Sequence, residues 1–203
     1  MRYLKILLIF SFFNLIAQSQ NSLAEGPFSQ LIIRGATLIN GNGAPPIGPV
    51  DIVIENDKIT DIEVVGSPDV EINELKRPKL DQGGKEINAL GMYVLPGFID
   101  MHGHIGGEDQ GADWDYVFKL WLAHGITTIR EPSGRGVKYA VDLKKRSAKN
   151  QIVAPRIFAY TKFGQGSKKS ITSTNEAREW VRENAKNGAD GIKFFGAEPE
   201  IMK

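Results

Sequence analysis

Residues 97–130 read GFIDMHGHIGGEDQGADWDYVFKLWLAHGITTIR, and this run decides the architecture. Phe98-Ile99-Asp100-Met101 is a short apolar strand that ends at His102. Trp114, Val117, Phe118, Trp121 and Leu122 then fall at i, i+3, i+4, i+7 and i+8, which is one face of a helix. Gly125 stands where that helix needs a left-handed residue to stop. Ile126–Arg130 (ITTIR) is rich in β-branched residues and reads as the next strand. Strand, helix and strand in this order make a parallel β/α unit.

Downstream the alternation continues. A helix is expected over Val137–Ala148, then a strand at Arg156–Tyr160 after Pro155. Ser173-Thr174-Asn175-Glu176 matches a capping box. The helix it opens is expected to turn Ala177, Trp180, Val181 and Ala185 to one side and to end near Gly188. Ile192–Phe195 supplies a fourth strand. Repeats of this length imply a parallel sheet buried on both faces. A complete eight-fold barrel takes about 250 residues, and the run from Gly97 holds four strands. The expectation is therefore the first half of a (β/α)8 barrel over residues 96–203, truncated relative to the whole.

Upstream, residues 25–95 have a different texture. Leu31–Ile33 and Thr37–Ile39 are short β-rich runs separated at Gly35, and residues 40–46 (NGNGAPP) form a loop. Val50–Glu55 and Ile59–Val65 alternate apolar and polar residues around Asn56-Asp57, the pattern of a hairpin. Pro68–Gly84 is polar and irregular, and Glu86–Ala89 and Met92–Leu95 are further short strands. This is a small β module, and nothing in it looks catalytic. The fold class expected for the chain is thus α/β: a small β-sandwich module, then half of a TIM-type barrel.

The first residues read as an address. Arg2 and Lys5 precede the apolar run Ile6–Ala17 (ILLIFSFFNLIA), as in a secretory signal peptide over residues 1–24. Small residues suit cleavage after Ser19 or Ala24. The run is shorter than the roughly 20 residues a span needs, so no stable membrane span is expected after cleavage. The expected location is exported, periplasmic or extracellular. An uncleaved anchor or a buried apolar helix is the alternative. Of the 203 residues, 25 Lys+Arg balance 24 Asp+Glu, so no basic block marks a nucleic-acid partner. Cys is absent, which excludes disulfides, thiolate metal sites and cysteine nucleophiles.

His102-Gly103-His104 is the sharpest local feature. Residues i and i+2 of extended backbone point to one side, so both imidazoles can converge on one ion. They sit at the C-terminal end of a barrel strand, where such barrels keep their active sites. Exposed or hydrogen-bonded histidines are the bland alternative. Lys193, between Ile192 and Phe194 on a strand expected to be buried, has no cheap place for its charge. A neutral amine there would take up CO₂ to give a carbamate, a carboxylate-like bridge between two metals. A Lys that reaches solvent or pairs with a carboxylate stands beside that reading. Asp100 shares a strand face with His102 and is a candidate to orient a ligand from behind, or an ordinary strand-end carboxylate. His124, at a helix C-terminus, reads as structural. Glu131 either faces the site mouth or is solvated. No Gly-x-Ser-x-Gly elbow or Walker-type loop is present.

Leu95-Pro96-Gly97-Phe98-Ile99-Asp100-Met101-His102-Gly103-His104 resembles the metal-binding first-strand motif of the amidohydrolase superfamily. Ala36–Gly43 and Asp51–Ile54 with Lys58-Ile59 resemble that family's N-terminal β-sandwich. Gly125–Arg130 is similar to its second strand, and Gly188–Lys193 to its fourth. The likeness runs from about Leu31 to Phe195 and is greatest to the imidazolonepropionase- and prolidase-like branch, which includes Xaa-Pro dipeptidases.

The resemblance implies two divalent metal ions, with zinc the expected metal, held by His102, His104 and Lys193 as its CO₂-derived carbamate. It implies hydrolysis of C–N bonds in small-molecule amides, cyclic amides or dipeptides by a metal-activated hydroxide. It also implies two more ligand histidines and a proton-shuttle Asp, none of which the first four strands supply. The site is therefore expected to be incomplete in this chain, and the chain alone inactive. The competing expectation is a non-catalytic fragment or interaction module with at most a weak mononuclear metal site. Half a barrel exposes sheet edges, so self-association, including a homo-oligomer, is also expected.

Overall fold

The computed structural model describes residues 26–107, 111–132 and 135–202. The expected signal segment lies outside the described residues. Two sheets follow one another along the chain. The first holds β1 (Gln30–Leu38), β2 (Ile47–Glu55), β3 (Lys58–Val64), β4 (Lys85–Asn88) and β5 (Tyr93–Val94). Its order is β3-β2-β1-β4, with β5 also pairing with β1. The two short runs around Gly35 form a single strand. Gly35 adopts φ +73°, and the β1–β2 register shifts between Ile33 and Ala36, so a bulge carries the strand through. The hairpin turns at Asn56, whose φ of 56° suits Asn in a tight turn. Leu38, Val50 and Ile52 form the small core of this sheet, joined by Ile33, Ile54 and Val94.

The second sheet is parallel, in the order β6 (Phe98–Asp100), β7 (Ile126–Glu131), β8 (Arg156–Lys162), β9 (Gly191–Lys193). Helices α1 (Trp114–Ala123), α2 (Val137–Ala148) and α3 (Thr174–Lys186) provide the crossovers, and a short α4 (Pro199–Met202) follows β9. This is half of a TIM-type barrel. Gly125 ends the first crossover at φ +77°. Ile129, Ile157 and Ala159 turn to the helices and pack with Phe118, Ala140, Val141 and Leu143. Burying such side chains stabilises by roughly 1.5–3 kcal/mol each. The alternate residues, Phe158 among them at 43% exposure, face the open side. Among the described residues no helix is long and apolar enough to cross a membrane.

Two expectations shift. α3 buries Ala177, Trp180 and Asn184, and leaves Val181 and Ala185 exposed. The buried stripe follows i, i+3 and i+7, and the exposed pair lies one step round the helix. The fourth strand stops at Lys193: its carbonyl accepts the last ladder bond, from Phe163 N–H at 2.8 Å, and Phe194 leaves to stack on Phe163.

The capping box is complete, with Ser173 Oγ accepting from Glu176 N–H and the Glu176 carboxylate accepting from Ser173 N–H. The Thr172 backbone N–H, then the Ser173 groups, hold the Glu176 pKa below the ordinary carboxylate value. That contribution is present above the unfolded pKa and fades as pH falls through the lowered folded one. Ser173→Ala is expected to cost about 1 kcal/mol, measured as a shift in the denaturation midpoint at unchanged slope.

Candidate functional site

The C-terminal ends of β6, β7 and β9 share one rim of the sheet, and the candidate residues gather there. Local sequence explains how His102 and His104 arrive. β6 stops at Asp100, whose carboxylate accepts from the His102 backbone N–H at 2.7 Å and turns the chain. Gly103 N–H then donates to the Arg130 carbonyl at 3.1 Å. A Cβ on Gly103 would sit 3.1 Å from Ile129 Cβ and Cγ2, so a glycine lets this turn close against β7. The two imidazole centroids lie 5.4 Å apart at an interplanar angle of 66°.

Lys193 completes the group from the far edge of the sheet. Its Nζ lies 3.3 Å from His102 Nε2, across 91 residues of sequence. Asp190 helps to set that register, accepting from Ala159 N–H at 2.8 Å and from Lys144 Nζ at 2.6 Å. Lys193 is half-buried rather than enclosed, because it projects from the strand end toward the open side. Its ammonium also lies 4.5 Å from the Phe195 ring centroid.

His104 is approached from two sides. Trp121 Nε1 donates to its carbonyl at 3.1 Å. Behind its ring stands Glu131, only 1% exposed, with Oε1 3.4 Å from His104 Nδ1 and Oε2 accepting from Ile105 N–H at 2.8 Å. Glu131 therefore occupies the place sequence reasoning gave to Asp100, which reaches a backbone amide instead of a ring nitrogen. The signal in the sequence is the alternation of β7: Glu131 follows Ile129 onto the helix side, where the His104 turn docks. His124 stays away from the rim, its Nδ1 2.8 Å from the Leu120 carbonyl at the end of α1.

These residues meet the chemistry of a divalent ion in part. Among the described residues no group of three His, Asp or Glu side chains is arranged to hold one. What converges is two imidazoles and a primary amine. A buried carboxylate behind a ring nitrogen is the arrangement that orients a metal-bound imidazole. A carbamate on Nζ would add the anionic oxygens the set lacks, so the residues fit such an ion with Lys193 in that form. Beside them opens a cleft of about 200 Å³ lined by His102, Arg130, Pro132, Tyr160, Ile192 and Lys193.

No protein-family model matches the chain. It is 40% identical over 111 residues to a 5-methylthioadenosine/S-adenosylhomocysteine deaminase of Caldicellulosiruptor saccharolyticus, covering 54% of this chain and 24% of that protein. It is 31% identical over 126 residues to adenine deaminase 2 of Desulfotalea psychrophila, covering 56% and 22%. The chain thus spans about a quarter of the length of the curated relatives it matches. Among solved structures it resembles a Xaa-Pro dipeptidase with methionine bound in the active site, at TM-score 0.60 and 23% identity over 82% of this chain and 47% of that one. Molinate hydrolase is similar at TM-score 0.60 and 21% identity, over 82% and 45%. At these identities the structures speak to the fold. Together with the two deaminases they relate the chain to the amidohydrolase superfamily, over an N-terminal portion of its proteins.

Proposed function

We propose that this chain contributes the first half of the active site of an exported, metal-dependent hydrolase that cleaves C–N bonds in small amides, cyclic amides or dipeptides. The observation that carries the reading is the meeting of His102, His104 and Lys193 at the C-terminal rim of a parallel half-barrel. The deaminase and Xaa-Pro dipeptidase relatives support the bond type. Export rests on the basic and apolar pattern of residues 1–24. In this reading His102 and His104 would hold one metal, Lys193 as a carbamate would supply the oxygens shared with a second, and the remaining ligands and a proton-transferring Asp would come from segments other than β1–β9. Zinc is the metal proposed.

Bound divalent ions supply Lewis-acid polarisation of a carbonyl and a lowered pKa for water. The protein's own part is preparation. Asp100 fixes the turn that presents His102, and Glu131 stands 3.4 Å behind Nδ1 of the His104 ring, without a hydrogen bond to it among the described residues. Carbamate formation joins Nζ of neutral Lys193 to the carbon of CO₂ and releases one proton. Glu131→Gln is expected to weaken zinc binding about 10–100-fold, the usual cost of removing such a partner, measured by competition with a chelating dye.

One contact favours the alternative of a non-catalytic module with a weak mononuclear site. The Phe195 face under Lys193 stabilises the ammonium, which cannot take up CO₂. Two measurements separate the readings: a ¹³C carbamate signal after labelled bicarbonate and zinc are added, and hydrolysis of a panel of dipeptides, cyclic amides and aminopurines. No signal and no hydrolysis by the full-length metal-loaded protein would overturn the hydrolase reading.

A further inference from the structure

We infer that Arg130 is the anchor for a substrate carboxylate in the cleft beside His102 and Lys193. The substrate would then be an acid, such as a dipeptide or N-acyl amino acid, rather than a neutral cyclic amide. This inference rests on the preceding reading that His102, His104 and Lys193 form the reacting end of the cleft.

Ile129 and Glu131 turn toward the helices, so Arg130 between them faces the open side, in register with Phe158 of β8. Its guanidinium carbon lies over the Tyr160 ring, 5.2 Å from the centroid. The Tyr160 ring in turn lies across Gly191 of β9, where a Cβ would overlap it. Arg130, Tyr160 and Gly191 thus form a shelf across three adjacent strands, and Lys193 follows Gly191 by two residues. A side chain at position 191 would push the ring away and release the guanidinium from its face.

The ring holds the plane of the guanidinium, and Arg130 lines the cleft. Arg130 Nε is buried and has no hydrogen-bond partner among the described residues. Among the described residues, those lining the cleft include no carboxylate. Glu131, next in sequence, is turned away and engaged by Ile105 N–H and His104. A buried charged donor without an acceptor is costly. A planar fork of this kind matches a carboxylate with two parallel bonds, which a lysine ammonium does not reproduce. The cationic character of Arg130 and Lys193 together selects for an anion.

The test compares binding of N-acetylalanine and of its primary amide to the full-length, zinc-loaded protein by calorimetry at fixed ionic strength. The native protein is expected to bind the acid at least about tenfold more tightly than the amide, in line with a charge-assisted bond. Arg130→Met is expected to erase that preference by weakening the acid far more than the amide, with zinc still bound as the check that the site is intact. Arg130→Lys, which keeps the charge without the fork, is expected to retain only part of it. Equal affinities in the native protein, no binding of either compound, or a preference that survives Arg130→Met would each overturn the inference. The two readings fail separately. Hydrolysis without an Arg130-dependent acid preference removes the carboxylate anchor and keeps the hydrolase. Acid-selective binding that depends on Arg130, without hydrolysis of any substrate in the panel, does the reverse.

Discussion

Lys193→Ala in the zinc-loaded, full-length protein is expected to lower kcat/KM by about 10³-fold or more, which corresponds to roughly 4 kcal/mol of lost transition-state stabilisation. The physical basis is that the amine at 3.3 Å from His102 Nε2 is the single group on β9 that joins the histidine pair. On the proposed reading, removing it deletes the one group that would bridge the two ions, a role that ligands bound to a single ion cannot take over. The deletion can be partly repaired from outside. Acetate or formate at high concentration offers the same carboxylate oxygens without the covalent stem, and activity is expected to recover in proportion to added acid and metal. Lys193→Arg, which keeps a cation and cannot become a carbamate, is expected to stay inactive and unrescued. Steady-state kinetics with metal analysis on each variant checks this, and full activity in Lys193→Ala would exclude the bridging role.

Asp51→Ala is expected to cost about 3 kcal/mol of stability, the lower end of the range for breaking a buried ion pair from one side. Asp51 is fully buried in β2. It accepts from Gly35 N–H at the β1 bulge at 2.8 Å and from Arg34 at 2.9 Å, and Arg77 Nε lies 3.4 Å away. Burial works against the Arg34 charge, but bonds to Asp51 and Glu86 outweigh it and raise the Arg34 pKa. Without Asp51 the two guanidiniums and the bulge amide lose the buried carboxylate they share. Arg34 also donates to the Pro78 carbonyl at 2.8 Å, so the same network ties the irregular segment after β3 to the sheet. Urea unfolding monitored in the native protein and in Asp51→Ala and Asp51→Asn checks the claim, with Asn expected to lose less because it still accepts from Gly35. A loss below about 1 kcal/mol in Asp51→Ala would mean that solvent reaches the network.

Much of this architecture was legible residue by residue. Helix α2 occupies the expected Val137–Ala148, the capping box of α3 closes as its four residues promise, and His124 satisfies a helix-end carbonyl. Other elements were legible in kind but not in extent. The two runs around Gly35 merge because a glycine bulge continues the ladder, and β9 ends early because Phe194 finds a ring to stack on instead of a strand to pair with. Val181 and Ala185 satisfy helical periodicity, yet the neighbouring surface takes the narrower stripe of Ala177, Trp180 and Asn184.

Periodicity, caps, turns and the His-Gly-His spacing are local, since they depend on backbone geometry over a few residues. By itself the sequence therefore determined the two-sheet order and the α/β class, and singled out His102 and His104 at the end of the first barrel strand. Tertiary structure decided how the candidate groups meet: it brings Lys193, already singled out in the sequence, to 3.3 Å from His102, stands Glu131 rather than Asp100 behind the His104 ring, and lays Arg130 on Tyr160. Each of these depends on the register between parallel strands joined by long crossovers. A shift of one residue in that register turns every side chain to the other face of the sheet.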